Sequence, residues 1–114
     1  MKASIKTIDI SVKEWYDKTY GNSYFSAKIV INYGLKSQKS LFVPFCYGYG
    51  SHSEHVCFEK IKMSINKKIF KDASKMLSLW SFCKDHGILY RYSKQENCLK
   101  RELLTEKQVK NLEE

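Results

Sequence analysis

The feature that most constrains the fold is the alternation of apolar and polar residues in the run YFSAKIVINY, residues 24–33. Successive side chains of a β-strand point to opposite faces of a sheet, so this period of two predicts a strand with one buried face. We expect the core-facing side to consist of every second residue: Phe25, Ala27, Ile29, Ile31 and Tyr33.

Two neighbouring segments carry the same signal. Residues 4–12 have apolar side chains at alternate positions and predict a first strand. A turn-rich connection over residues 14–22 is expected after it. Residues 40–47 predict a third strand that pairs antiparallel with the second, because the polar turn between them is short. Since Pro44 has no N–H to donate, we expect this third strand to lie at a sheet edge or to contain a bulge.

Helical signals begin in the second half of the chain. Ser51 and Glu54 fit a Ser-x-x-Glu capping box and predict a helix over residues 52–64. A further periodicity typical of an amphipathic helix predicts a longer helix over residues 67–85, which Gly87 would terminate.

Strand alternation returns after this helix. The pattern from Ile88 to Tyr92 predicts a fourth strand, which we expect to continue as a hairpin around residues 94–97. Thr105 and Gln108 resemble a second capping box and predict a short C-terminal helix. The expected fold is therefore α+β, with a three- to five-stranded antiparallel sheet packed against two helices and a short C-terminal helix.

The composition is that of a globular domain. With 114 residues, of which 43% are hydrophobic, the chain is long enough for one domain, residues 1–114, with its own core. No apolar run approaches the roughly 20 residues that a membrane-spanning helix needs. Met1 and Lys2 lead directly into the first strand pattern, so we expect no signal peptide, a cytoplasmic location and reduced cysteines.

Residue types that often carry chemistry are present, but their spacing matches no catalytic or zinc motif. The candidate ligands and nucleophiles fall into two groups: Cys46, His52, His55 and Cys57, and then Cys83 and His86. No P-loop, G-x-S-x-G or paired-carboxylate motif occurs either. We therefore expect no catalytic residue, no metal and no cofactor, and a protein that is not an enzyme.

The chain instead carries the residue types of a binding surface. Ten of its sixteen aromatic residues lie in residues 15–49, and the net charge is +8, with six lysines against one acid in residues 60–75. Such a charge favours polyanions or acidic protein surfaces as partners. The candidate binding residues are aromatic side chains expected to face outward, a neighbouring lysine and a lysine-rich helix face: Trp15, Tyr16, Lys18, Tyr20, Tyr24, Tyr47, Tyr49, Lys60, Lys67, Lys68, Lys71 and Lys75.

Three kinds of partner fit these residues. Single-stranded nucleic acids are bound by stacking aromatic rings beside basic grooves, which favours a sequence-tolerant accessory protein. Tyrosine and tryptophan are also enriched at the hot spots of protein–protein interfaces. An edge strand that pairs with a second copy would favour a small structural or assembly protein. A structural explanation stands beside all three, because tyrosine packs well in strands and lysines commonly form the solvated face of a helix.

Three segments carry a family resemblance: EWYDKTYGNSYFSA at residues 14–27, PFCYGYG at residues 44–50 and FCKDHGILYRYSKQENCLKREL at residues 82–103. Together they resemble small uncharacterised proteins that bacteriophages and other mobile elements encode. The resemblance implies a phage-encoded, non-enzymatic inhibitor of the anti-CRISPR or anti-defence type. Its partner would be a host defence ribonucleoprotein or nuclease, blocked sterically through the protein or its guide RNA, with neither a membrane nor a small-molecule substrate involved.

Overall fold

The computed structural model describes residues 5–48, 52–64 and 79–113. This part of the chain contains four β-strands and three α-helices, so the α+β class and the short C-terminal helix are confirmed. In chain order the elements are β1 (Thr7–Asp17), β2 (Asn22–Ile31), β3 (Lys39–Tyr47), α1 (His52–Ser64), α2 (Leu79–Asp85), β4 (Leu89–Gln95) and α3 (Glu106–Glu113).

The strands form one sheet in the order β3-β2-β1-β4. β1 pairs antiparallel with β2, and β2 with β3, as their short connections predict. β4 departs from the antiparallel expectation, because it runs parallel to β1. The chain leaves β3 at one edge and reaches β4 at the other edge, and strands that point the same way need a crossover connection of this kind. The sheet is therefore mixed.

α1 and α2 pack on one face of the sheet, which we call the core face. The buried side chains of this face form one hydrophobic cluster with both helices, including Ile8, Ile10, Val12, Phe25, Ile29, Phe58, Ile61, Leu79 and Phe82. α1 matches the predicted range. Of the predicted second helix, residues 67–85, the structure describes the last part, α2. This helix ends where Gly87 predicts: Gly87 has a φ of 66°, and the Ile88 N–H donates to the Cys83 carbonyl at 2.9 Å.

β1 is longer than predicted, because several residues expected in the 14–22 connection continue the strand to Asp17. The apolar alternation stops at Glu14, a charged residue at a core-facing position, and this hides the rest of the strand from a pattern search. The Glu14 carboxylate is bound by Lys94 Nζ at 2.8 Å, and both side chains are about four-fifths buried or more. The turn itself is confined to residues 18–21.

The expectation that Tyr33 faces the core is wrong. β2 ends at Ile31, and Asn32 has a left-handed φ of 57°, which asparagine tolerates better than most residues. The Asn32 side-chain oxygen accepts the Lys6 N–H at 2.6 Å, and its amide donates to Ser37 Oγ at 3.0 Å. These bonds turn the chain out of the strand, so Tyr33 is 65% exposed.

Both features expected of the strand that contains Pro44 are confirmed, because β3 lies at a sheet edge and contains a bulge. The register with β2 shifts there, so that Pro44 and Phe45 together lie opposite Ser26. Regular alternation from Val43, which faces the core, would also direct Phe45 and Tyr47 to the core face. The extra residue reverses this, and both rings lie on the opposite face, which we call the outer face.

The hairpin predicted beyond β4 does not form. After β4 the chain turns at Asn97, which has a φ of 59°, and the Cys98 N–H donates to the Glu14 carbonyl at 2.9 Å. Residues 98–104, which we call the strap, then cross the outer face from β1 towards β3. The strap contains one 3₁₀ turn, Lys100–Glu102.

Leu104 fixes the end of the strap to two strands. Its N–H donates to the buried Ser26 hydroxyl at 3.0 Å, and its carbonyl accepts the Phe45 N–H at 2.6 Å. α3 follows and begins with the predicted capping box: the Gln108 N–H donates to Thr105 Oγ1 at 3.2 Å, and the Thr105 N–H donates to Gln108 Oε1 at 2.8 Å.

Phe25→Ala and Tyr33→Ala form a matched test of the core face. Phe25 is fully buried, so its truncation removes packing contacts, leaves a cavity and is expected to lower the free energy of unfolding by about 3–5 kcal/mol. Tyr33→Ala removes an exposed ring, and its effect is expected to stay within about 0.5 kcal/mol. Urea unfolding followed by circular dichroism measures both values, and equal losses would contradict this assignment.

Candidate functional site

Four aromatic side chains converge on the outer face, and we call them the ring cluster: Trp15, Tyr24, Phe45 and Tyr47. Tyr24 stacks on Phe45 with ring centroids 4.8 Å apart and on Trp15 at 5.5 Å. Tyr47 meets Tyr24 edge-on at 5.8 Å. Strand register produces the cluster, because Tyr24 pairs directly with Trp15 on β1 and with Tyr47 on β3.

The ring cluster remains accessible. Trp15, Tyr24 and Phe45 are half-buried, and Tyr47 is 56% exposed. The strap carries Lys100 to this place, with its ammonium nitrogen 5.5 Å from the centroid of the Trp15 ring. The electron-rich face of an indole attracts a cation. A positive charge is therefore held beside partly exposed, near-parallel rings.

A groove of about 900 Å³ lies between the strap and α3, and we call it the basic groove. Phe45 and Lys100 line it and also take part in the contacts of the ring cluster. Arg101 and Lys107 add two exposed cations to the lining, which contains one acid, Glu106. The surface of the groove is mostly apolar, three cationic residues and one acid are among its lining residues, and it shares an aromatic wall with the ring cluster.

A smaller depression of about 240 Å³ also borders the strap. Lys13 and Lys28 contribute cations to its lining, and Glu102 contributes a carboxylate. Glu102 Oε2 accepts the Leu99 N–H at 2.5 Å, so this acid is already bound within the strap. The groove and the depression together are lined by two acids, Glu102 and Glu106, and by five cations: Lys13, Lys28, Lys100, Arg101 and Lys107.

Three of the predicted binding residues come together in the ring cluster, whereas the other described aromatic candidates do not. Trp15 and Tyr16, expected in a turn, are instead neighbours in β1 and so point to opposite faces of the sheet. Lys18 and Tyr20 lie in the turn at the tip of the β1–β2 hairpin, where Tyr20 is 77% exposed.

Lys60, the described residue of the predicted lysine-rich helix face, is not joined to the ring cluster. Lys60 lies on α1, which packs against the core face, and is therefore on the opposite side of the sheet from the rings. The remaining predicted binding residues fall outside the described residues: Tyr49, Lys67, Lys68, Lys71 and Lys75.

Six of the nine side chains of the ring cluster and its neighbouring cations are absent from the predicted binding residues, for different reasons. Lys13 and Lys28 are interleaved with the aromatic candidates in the sequence, and the period of two places them on the same face as Trp15 and Tyr24. Regular alternation along β3 would place Phe45 on the core face, so the sequence places it on the outer face only if a bulge is assumed. No local pattern could have found the cations that the strap and α3 bring from far along the chain: Lys100, Arg101 and Lys107.

The polar side chains between α1 and β4, on the core face, bind one another. Ser53 Oγ lies 2.8 Å from the Tyr92 hydroxyl, and the Tyr90 hydroxyl donates to Glu54 Oε2 at 2.8 Å. Burial, together with the hydrogen bond to Glu54, raises the pKa of Tyr90 well above its usual range. Since buried polar groups need partners, these bonds are a sufficient structural reason for the polar residues there.

Burial also raises the pKa of three cysteine thiols. It raises the pKa of Cys57 and of Cys83 to about 12, and it raises the pKa of Cys46 in the same direction. The thiolate is the nucleophile and the metal ligand, so neutral thiols are poorly suited to either task. Within residues 5–48, 52–64 and 79–113, no three His, Cys, Asp or Glu side chains are grouped to hold a metal ion.

Comparisons with known proteins add no relative. No protein-family model, no curated protein and no solved structure matches the chain. The resemblance to phage proteins therefore stays a prediction. Among the helices in the described ranges, none is long and apolar enough to cross a membrane.

The thiol environment predicts slow alkylation in the folded chain. At pH 8.5 iodoacetamide is expected to modify half-buried Cys46 before Cys57 and Cys83, because the latter two are buried and protonated. Mass spectrometry of timed samples measures the order in which the three cysteines are alkylated, and Cys57 reacting at the rate of the unfolded chain would contradict it.

The raised thiol pKa values also predict a pH dependence of stability. Thiols of the unfolded chain ionise near pH 9.0 and the buried thiols near pH 12, so the free energy of unfolding is expected to fall as the pH rises between these values.

Proposed function

We propose that the chain is a non-enzymatic domain that binds single-stranded nucleic acid on its outer face. The observation that carries the proposal is the ring cluster, with Lys100 over Trp15 and the basic groove beside it. Proteins that bind single strands with little sequence preference combine stacking aromatic rings with a positively charged groove. Both features meet at Phe45, which belongs to the rings and lines the groove.

The charges on the outer face favour a polyanion as the ligand. Five cations line the groove and the smaller depression against two acids, Glu102 and Glu106, so cations are in excess there. Asp9, further along β1, is paired with Arg91, whose Nη2 lies 3.1 Å from Asp9 Oδ2. The net charge of +8 adds long-range attraction for a phosphate backbone.

Binding without catalysis is supported by the state of the reactive groups. The thiols of Cys46, Cys57 and Cys83 have raised pKa values, and a nucleophile requires the opposite shift. Glu14 is paired with Lys94, and Glu54 accepts a hydrogen bond from Tyr90. Carboxylates held in this way are engaged in the fold, which suits a rigid binding scaffold.

The cellular role that we propose follows the phage resemblance: a cytoplasmic protein that blocks a host defence ribonucleoprotein by binding its guide RNA. A guide strand exposes bases to stack on the rings and phosphates to meet the five cations. Occupation of that strand would prevent its pairing with a target, so inhibition would be steric.

A protein surface of the nuclease itself is the second candidate ligand, favoured by the tip of the β1–β2 hairpin. Tyr20 is 77% exposed there and Tyr16 48% exposed, and tyrosines of this kind anchor protein interfaces. Tyr20→Ala separates the two ligands, because it is expected to weaken a protein complex while leaving binding of an oligonucleotide unchanged.

The proposal predicts that a short oligonucleotide binds and that Tyr24→Ala weakens it. Because base–aromatic stacking contributes about 1–3 kcal/mol per base, the dissociation constant is expected to rise roughly tenfold or more. For about five phosphate contacts on a single strand, the logarithm of the affinity should fall with the logarithm of salt at a slope of about −3.5. Fluorescence anisotropy with a labelled oligonucleotide at several salt concentrations measures both.

Tyr33→Ala is the matched control, since it removes an exposed tyrosine distant from the ring cluster along β2. It is expected to leave the affinity unchanged, and urea unfolding verifies that Tyr24→Ala still folds. Absence of binding at low salt, or an equal loss in Tyr33→Ala, would rule out the ring cluster as a strand-binding surface.

A further inference from the structure

The basic groove has the chemistry of a nucleotide site. Its volume of about 900 Å³ lies within the roughly 300–1,000 Å³ of small-molecule sites. Phe45 provides an aromatic wall, and Lys100, Arg101 and Lys107 bring three cations against the single carboxylate of Glu106. A flat ring and a group of cations are complementary to the base and the phosphate of a nucleotide.

Gln108 adds a hydrogen-bond donor to the lining of the groove. Its side-chain oxygen accepts the Thr105 N–H at 2.8 Å, so the other end of the amide is the nitrogen, which can only donate. Among the residues that the structure describes, this nitrogen has no hydrogen-bond partner. It is therefore available to an acceptor on the edge of a base.

The groove is continuous with the ring cluster through two shared residues. The Phe45 ring stacks on Tyr24 at 4.8 Å and also lines the groove. Lys100 lies over Trp15 at 5.5 Å and also lines the groove. A strand on the rings would thus be adjacent to the groove, and its next phosphate would lie near the cations of the lining.

We propose that the basic groove holds one nucleotide of the bound strand, with its base against Phe45 and its phosphate between Lys100, Arg101 and Lys107. This inference rests on the proposed function, because the same strand occupies the ring cluster. Stacking on the rings accepts every base, since each base has a π-face. The Gln108 amide would give this one position a base preference.

The test uses the full chain with Trp80→Phe, which leaves Trp15 as the single tryptophan and as the reporter on the ring cluster. In this background Arg101→Ala/Lys107→Ala removes two cations of the groove. Its control, Lys36→Ala/Lys110→Ala, removes two exposed cations that do not line the groove.

Titration with an oligouridylate of about eight nucleotides is expected to give roughly tenfold weaker binding for the groove variant than for the control. Quenching of Trp15 at saturation should be the same in both, because the rings remain occupied. Equal affinities with normal quenching would overturn the groove assignment and leave the proposed function intact.

A second measurement distinguishes a nucleotide of the strand from a free nucleotide. In ¹⁵N spectra the Gln108 side-chain amide is expected to shift with the oligonucleotide and much less with AMP at equal nucleotide concentration. A shift with AMP alone would overturn the strand assignment, and no shift with either would exclude a nucleotide from the groove. Missing Trp15 quenching would instead count against the proposed function.

Discussion

The outer face depends on the two backbone hydrogen bonds of Leu104. The bulge at Pro44 frees the Phe45 N–H of an edge strand, and the Leu104 carbonyl accepts it at 2.6 Å. The Leu104 N–H in turn binds the hydroxyl of Ser26, which is only 3% exposed and requires a partner. These bonds hold the strap across three strands, which places Lys100 over Trp15 and starts α3 beside β3. The rings, the strap and the groove therefore form one assembly.

The two faces of the sheet differ in how deeply their side chains are buried. The core face buries aliphatic and aromatic side chains under α1 and α2, and each large buried side chain contributes about 1.5–3 kcal/mol. A cross-strand pair such as Trp15–Tyr24 contributes only about 0.2–1 kcal/mol, so half-exposed rings are not essential to the fold. Their partial exposure leaves ring surface accessible, which the proposed function requires.

Strand alternation and capping boxes made most of the fold predictable, since local spacing determines which side chains are buried and where helices begin. The failures have physical causes that alternation cannot represent. Glu14 occupies a core-facing position and is compensated by Lys94, which lies far along the chain, so β1 looked shorter than it is. Parallel pairing of β4 depends on a crossover, and the cations of the strap reach the rings only through tertiary contacts.

The most direct test of the account is photo-crosslinking of a thiouridine-containing oligonucleotide to the full chain, followed by identification of the modified peptides by mass spectrometry. The account predicts crosslinks in the peptides that carry Trp15, Tyr24, Phe45 and Tyr47, together with the strap, at residues 98–104. Crosslinks concentrated in α1, on the opposite side of the sheet, would contradict it. So would crosslinking to the ring cluster that persists unchanged in high salt.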